Sequence, residues 1–393
     1  MKQRKIPFVL TILFVTLIIG GIATFAISAL IAQDDTDKDA LHNEQVGNIP
    51  ENETENESDE DTQQNDSNIE EEDDPEPVIT TITVSAAGDV TLGINQNHET
   101  QPWYSFHAEY DEKGEEHFFG GVENVFANDD MTIVNFEAVL TECTERVEKM
   151  WNLKGKPEYM RIMNIGSVEV AGFANNHCRD YGEQSFTDTI ELFEEYNITY
   201  AAEDIVGVYE TKGIRIGFVA VDALLGESAL ENARSGAAKL DEMGVNLKIV
   251  YIHWGIEGDY YPNQIQKDWG RYLVDMGYNL VLGSHPHVLQ GIEIYKNSAI
   301  VYSLANFCFG GNRNPADKNT MIYQQTFTFV DGVLQEDLSI KVIPCTISST
   351  DGRNDFRPTI HSGTERGAQI ISLINTYCEP WGTKFDEEGN LVP

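Results

Sequence analysis

The stretch Tyr278–Glu293, YNLVLGSHPHVLQGIE, decides how the rest of the chain is read. Its short apolar run is continuous rather than alternating, as a strand covered on both faces requires. The run ends in Gly-Ser and then delivers His285 and His287 around a proline. A His-Pro-His turn can be only a turn; the alternative is two imidazoles aimed into one site. Alternate residues of an extended segment point the same way, and a proline keeps the residue before it extended. The spacing therefore predicts both rings on one side.

The same grammar repeats upstream. TITVSAAGD (81–89), MTIVNFE (131–137), VEVAGFANNH (168–177), RIGFVAVD (215–222) and NLKIVYIHWG (246–255) each open on a Val/Ile-rich run and close on polar residues. Residues 157–166, 182–197 and 262–277 have helical spacing, the last with a proline in its first turn and a glycine at its end. Residues 291–307 and 323–347 read as hairpins turning at Lys-Asn and Asp-Gly, and 363–379 as a closing helix. Strands alternating with helices predict an α/β domain.

Five strands then deliver polar groups at the same relative place: Asp89; Asn135 and Glu137; Asn176 and His177; His253; His285 and His287. The carboxyl ends of neighbouring strands in an open α/β sheet share one rim, where ligands bind. Carboxylate, amide and imidazole without thiolate form the donor set of a hard or borderline divalent cation. Two imidazoles on one side suit a pair of ions ~3.5–4 Å apart. For a single histidine, packing is the ordinary explanation; five strand ends in agreement favour a site.

Charge sets the surroundings. The 393 residues carry a formal net charge of −39, and residues 33–77 hold 19 Asp or Glu against one Lys. Such a stretch cannot bury enough surface to offset its ordering, so it reads as a disordered acidic linker. Residues 78–380 follow as one domain and 381–393 as a tail. The acidity argues against nucleic-acid backbones as partners and suits solubility near an anionic surface or polymer. Lys2, Arg4 and Lys5 precede an uncharged run, Pro7–Ala32, which exceeds the ~20 residues that cross a hydrocarbon core. Residues 1–32 are thus expected to be a cytoplasmic tip and transmembrane signal-anchor in the cell membrane, single-pass, with the domain extracellular. Cleavage near Ala26-Ile27-Ser28 is the alternative. The five cysteines, odd in number and without a CxxC pair, read as buried small hydrophobes, with one disulfide as the lesser alternative.

GDVTLG (88–93), VNFEAVLT (134–141), ANNHCRDYG (174–182), HWGIEGDY (253–260) with PNQIQ behind it, GSHPHVLQGIE (283–293) and YSLANF (302–307) resemble, in order, the motif series of the CapA (PgsA) family. That family is linked to bacterial capsule and poly-γ-glutamate synthesis. The resemblance implies a fold related to calcineurin-like metallophosphatases, a sandwich of mixed β-sheets flanked by helices. It also implies one or two divalent ions (Mn, Zn, Fe or Mg). One ion would see Asn176, His253, His285 and Glu137; the other Asp89, Glu137 and His287, with Asn135 the lesser alternative to Glu137 as bridge. His177 resembles the catalytic histidine, with Asp180 to orient it. The phosphatases usually carry histidine where this chain has Thr91, aspartate where it has Glu137, and the family usually has glycine where it has Ala305. The Asp89 side is left to be completed by water or Glu257.

Other residues near the expected rim keep two readings each. Glu257 is a ligand, an acceptor behind an imidazole, or solvent-facing. Trp151, Lys154 and Lys156 clamp an anionic substrate or form an exposed loop. Arg179 and Arg313 are placed to meet a phosphate or carboxylate, and Asn306 to fix a turn. Three functions compete: an anchored capsule or poly-γ-glutamate biosynthesis protein with polymer synthase subunits as partners; a surface phosphomonoesterase or phosphodiesterase; and a non-catalytic polymer-binding or assembly subunit.

Overall fold

The computed structural model of the chain describes residues 76–96 and 105–392. The expected anchor and nearly all of the expected linker lie outside them. Among the described residues, no helix is long and apolar enough to cross a membrane. Residues 73–393 make a compact unit of their own, with every core cluster between Ile82 and Leu391.

Two mixed sheets carry the unit. In the first, Ile79–Thr91, Met131–Phe136, Val170–Gly172 and Thr199–Ala201 run parallel in that order, and Asn319–Val330 and Ser339–Thr346 extend the sheet antiparallel on the other side of Ile79–Thr91. In the second, Ile214–Asp222, Leu247–His253, Leu280–Ser284 and Ser298–Val301 are parallel, with an antiparallel strand at each edge. The expected hairpins turn at Lys296-Asn297 and Asp331-Gly332, all four with positive φ, as tight two-residue turns need.

Alternation along each strand explains the layering. Ile82, Val84 and Ala86 of one sheet meet Leu247, Ile249 and Tyr251 of the other in a shared core. Their neighbours face outward: Ala87 and Val90 belong to a cluster with Phe186 and Phe193 of helix Gly182–Glu195, and Val250 and Ile252 to one with helices Ser228–Glu242 and Gln264–Asp275. Both faces of both sheets are buried, hence the continuous apolar runs. The result is a sandwich of two mixed sheets with helices outside.

Three expectations are corrected. Helix Ser228–Glu242 was not anticipated, because its buried face is Ala229, Ala233, Gly236, Ala237 and a single Leu240, too small to read as an apolar stripe. Pro262 precedes helix Gln264–Asp275 rather than entering its first turn. Asn263 is the cap, exchanging hydrogen bonds with Gln266 in a capping box. The expected tail, 381–393, is docked as far as residue 392: Phe385 is buried in the core and Val342 N–H donates to Gly389 O at 2.8 Å. The five cysteines are unpaired, four of them buried.

Candidate metal centre

The polar strand ends come from both sheets rather than one open sheet. Asp89, Asn135 and Glu137 end strands of the first sheet, and Asn176 and His177 lie in the loop after Val170–Gly172. His253 ends a strand of the second sheet, with His285 and His287 just beyond Leu280–Ser284. The sheets are tied beneath them by Tyr251, whose hydroxyl donates to Ala87 O at 2.7 Å. A register shift between Ala87 and Asp89 re-aims the end of the first strand. Gly88 is required there, since a Cβ would lie 1.8 Å from Ala305 O. Ala305 itself holds φ at +64° and accepts the Asp89 N–H at 2.9 Å, which explains why glycine suits that position.

Glu137 occupies the centre. It is fully buried, and neither carboxylate oxygen has a hydrogen-bond partner among the described residues. Its Oε1 lies 3.7 Å from His253 Nε2, 3.9 Å from His177 Nε2 and 4.0 Å from His287 Nε2. Those separations are too long for hydrogen bonds and suit atoms converging on a shared cation. Ligand atoms of Glu137, His253 and His285 lie within 4.8 Å of one another, as do those of Asp89, Glu137 and His287, and those of Glu257, His285 and His287. His253 Nε2 also faces Asn176 Oδ1 at 3.0 Å, and its Nδ1 meets Ser284 Oγ at 3.0 Å. A donor set of carboxylate, amide oxygen and imidazole with orphaned buried oxygens fits one or two divalent cations.

Supporting contacts fix the donors. Asn135 donates to Asp89 Oδ1 at 2.9 Å and accepts from Asn175 at 3.2 Å, so it braces the cluster while Glu137 faces it. Asp89 Oδ2 meets His287 Nδ1 at 3.0 Å. Thr91 turns its hydroxyl to Glu137 O at 2.9 Å and offers nothing to the cluster. Asn306 reaches His287 O at 3.3 Å. His177 Nδ1 is held by Asp180 Oδ2 at 2.7 Å, and Asp180 is fully buried, paired with the Lys149 ammonium and bonded to the Leu153 N–H.

His-Pro-His is not extended. His285 has φ +92° and His287 φ +57°, backbone that L-residues adopt only at a cost of about 1–2 kcal/mol each. The turn folds His285 against His253, ring centroids 4.6 Å apart, while His287 sits 5.9 Å from His285. Strain of this kind persists where the surroundings over-determine it, commonly at functional sites.

The electrostatics follow from burial. Desolvation, then the Asp89 charge, holds the Glu137 carboxyl well above its ordinary range. Burial and the neighbouring imidazoles push His253 well down, and burial takes His285 down to about 4. For His287 burial pulls downward but is outweighed by Glu137 and Asp89, which lift it to about 9. His177 is lowered by burial, against the opposing pull of Asp180.

The remaining expected residues stand further out. Arg179 spends its guanidinium on Glu183 and Glu203 and lies 3.9 Å from the Phe186 ring centroid. Lys154 binds Cys143 O at 2.9 Å and covers the Tyr181 ring; Lys156 pairs with Glu158 at 3.4 Å. Trp151 is exposed, and Arg313 accepts the Asn354 N–H through its carbonyl. Sequence reasoning missed Asn175, Ser284 and Lys149. The doubled asparagine before His177 was a signal for the first; Lys149, 31 positions before Asp180 and separated from it by two strands and a helix, gave none beyond the rarity of lysine.

Residues 83–311 match the family model described as "Bacterial capsule synthesis protein PGA_cap". The chain is 27% identical over 250 residues to the PGA biosynthesis protein CapA of Bacillus subtilis, a match covering 58% of this chain and 63% of that protein. It is 27% identical over 255 residues to the capsule biosynthesis protein CapA of Bacillus anthracis, covering 58% and 60%. A probable polyglutamine synthesis accessory protein of Mycobacterium tuberculosis is 22% identical over 258 residues, covering 56% and 66%. The chain thus spans under two thirds of the length of the Bacillus relatives it matches.

Proposed function

Since the chain belongs to the bacterial capsule synthesis protein family PGA_cap, we propose that it is a membrane-anchored protein of capsule or poly-γ-glutamate biosynthesis whose extracellular domain carries a divalent-metal site of phosphoesterase type. One observation carries the metal reading: Glu137, fully buried, has two unpartnered oxygens amid three imidazole nitrogens. The anchor rests on the uncharged run Pro7–Ala32, and the metallophosphatase kinship on the ligand types at the strand ends.

When bound, divalent cations supply Lewis acidity at phosphoryl oxygens and a nucleophilic water near neutral pH. Asp89, Glu137 and His287 would hold one ion, and Glu137, His253, His285 and Asn176 the other. The chain's own groups do the rest. Asp180 fixes the His177 ring through Nδ1, leaving Nε2 directed toward the cluster. With its proton affinity lowered by burial, the ring is neutral at rest, and an arriving phosphoester anion raises that affinity. His177 Nε2 can then carry a proton to the leaving oxygen. Ser284 holds the His253 ring, and Asn135 holds Asp89, so the ligands need little reorganisation.

Metal analysis of residues 73–393 tests this first. The wild-type domain should retain one or two equivalents of Mn²⁺ or Zn²⁺ after dialysis, and a His285→Ala/His287→Ala variant less. Equal retention by both sinks the site. Turnover of an aryl phosphate by the loaded domain, lost in His177→Ala, tests the chemistry. Deletion of the protein in its host should change polymer amount, length or attachment; no change in any of them removes the biosynthetic role.

A further inference from the structure

Five exposed apolar side chains follow or precede residues that reach the cluster. Met150 and Trp151 follow Lys149, whose ammonium reaches Asn176 O at 2.6 Å and His177 Nδ1 at 3.2 Å. Leu224 and Leu225 follow Asp222, which stands beside His253 in the second sheet and accepts the Leu224 N–H at 2.9 Å. Ile256 precedes Glu257, whose carboxylate groups with His285 and His287, and the next residue, Gly258, donates to Pro286 O at 2.9 Å. Met150 is 74% exposed, Leu225 65% and Ile256 54%, with Trp151 and Leu224 also exposed.

Single exposed hydrophobics are ordinary, but five on three segments joined to one polar cluster are patterned. Charge sharpens the point. Lys149 is engaged by the buried Asp180, while Asp222 and Glu257 add negative charge to the same loops. Exposed Arg146 on the first loop is flanked by Glu142, Glu145 and Glu148, so a repeating polyanion would meet net negative charge there, whereas a single phosphate would meet the cations of the cluster. We infer that the rim formed by Met150, Trp151, Leu224, Leu225 and Ile256 is a subsite for a long apolar group. The substrate class is then a phosphate ester of an extended apolar alcohol, with its phosphate in the cluster and its chain along these loops. This rests on the phosphoesterase reading of the cluster.

The test uses residues 73–393 loaded with Mn²⁺ and a series of soluble, non-hydrolysable methyl-, butyl- and octylphosphonates, with affinity measured by calorimetry. Complete burial would strengthen binding about fourfold per methylene, so even partial cover should give about tenfold from methyl to octyl. Leu225→Ser/Ile256→Ser should cut octylphosphonate affinity at least about threefold and leave methylphosphonate unchanged. Val333→Ser, an equally exposed apolar position in the Asp331-Gly332 hairpin, should change neither. A flat series, which a rim reserved for a protein partner would give, overturns the subsite while sparing the metal site. An equal loss in Val333→Ser overturns it too. Failure of every phosphonate to bind a domain that holds Mn²⁺ overturns the phosphoester reading and the subsite with it.

Discussion

Replacing Glu137 with glutamine separates what the site costs the fold from what a cation returns. In the metal-free domain this fully buried carboxyl has no partner on either oxygen among the described residues and lies beside Asp89. A buried unsatisfied polar group costs about 1–3 kcal/mol, and a charge held near a like charge costs more, which is why the proton affinity rises. Glutamine keeps the shape, removes the charge conflict and brings its own donors, so Glu137→Gln should stabilise the metal-free domain by about 1–3 kcal/mol. At about 2.1 cal/mol/K per residue, a domain of this size gains about 1.5 °C in Tm per kcal/mol, so the variant should melt about 2–5 °C higher. With Mn²⁺ at 100 times its Kd the wild type should gain about 2.7 kcal/mol, or about 4 °C, and the variant almost nothing. Calorimetric melts with and without metal therefore yield curves whose order reverses. A variant less stable than wild type in EDTA, or one that keeps the full metal-induced shift, refutes the assignment of Glu137 as the shared ligand.

Ala305→Gly should raise stability by up to about 1 kcal/mol in urea unfolding. Relief of left-handed backbone at +64°, about 1–2 kcal/mol, exceeds the entropic cost of glycine of about 0.5–1. Lys149→Met should destabilise by about 2–3 kcal/mol, less than for a wholly buried pair because Lys149 is 28% exposed, since it strands the buried Asp180 carboxylate. At the opposite strand ends, burial raises Asp129 to about 6 and Glu169 to about 7. The folded state then keeps protons that the unfolded chain has released, so this contribution is full below about pH 4 and is lost as pH rises to about 7. Thermal melts between pH 5 and 8 should show a steeper fall for wild type than for Glu169→Gln; parallel slopes would remove Glu169 as a cause.

Much of this was legible in residue order, for physical reasons. Strands buried on both faces must be apolar throughout, so their polar termini stand out, and Asp89, Glu137, His253 and His287 were visible as such. Helix Ser228–Glu242 was not, because alanine and glycine bury little area and leave no stripe. The bend at His285 and His287 was hidden because proline restrains its neighbour without fixing the sign of φ, and tertiary packing chose the rarer one. Lys149 was invisible for another reason: a charge that offsets Asp180 from a separate loop follows from folding and leaves no spacing to read.

Because Asp89 and Glu137 hang from one sheet and His253 and His287 from the other, an ion gripped between them would act as a rivet through the sandwich. Prising the two layers apart would then have to break ligation before it exposed the apolar filling. Scarcity of such an ion would loosen both layers together, and the supply of metal would then control how long the folded domain survives.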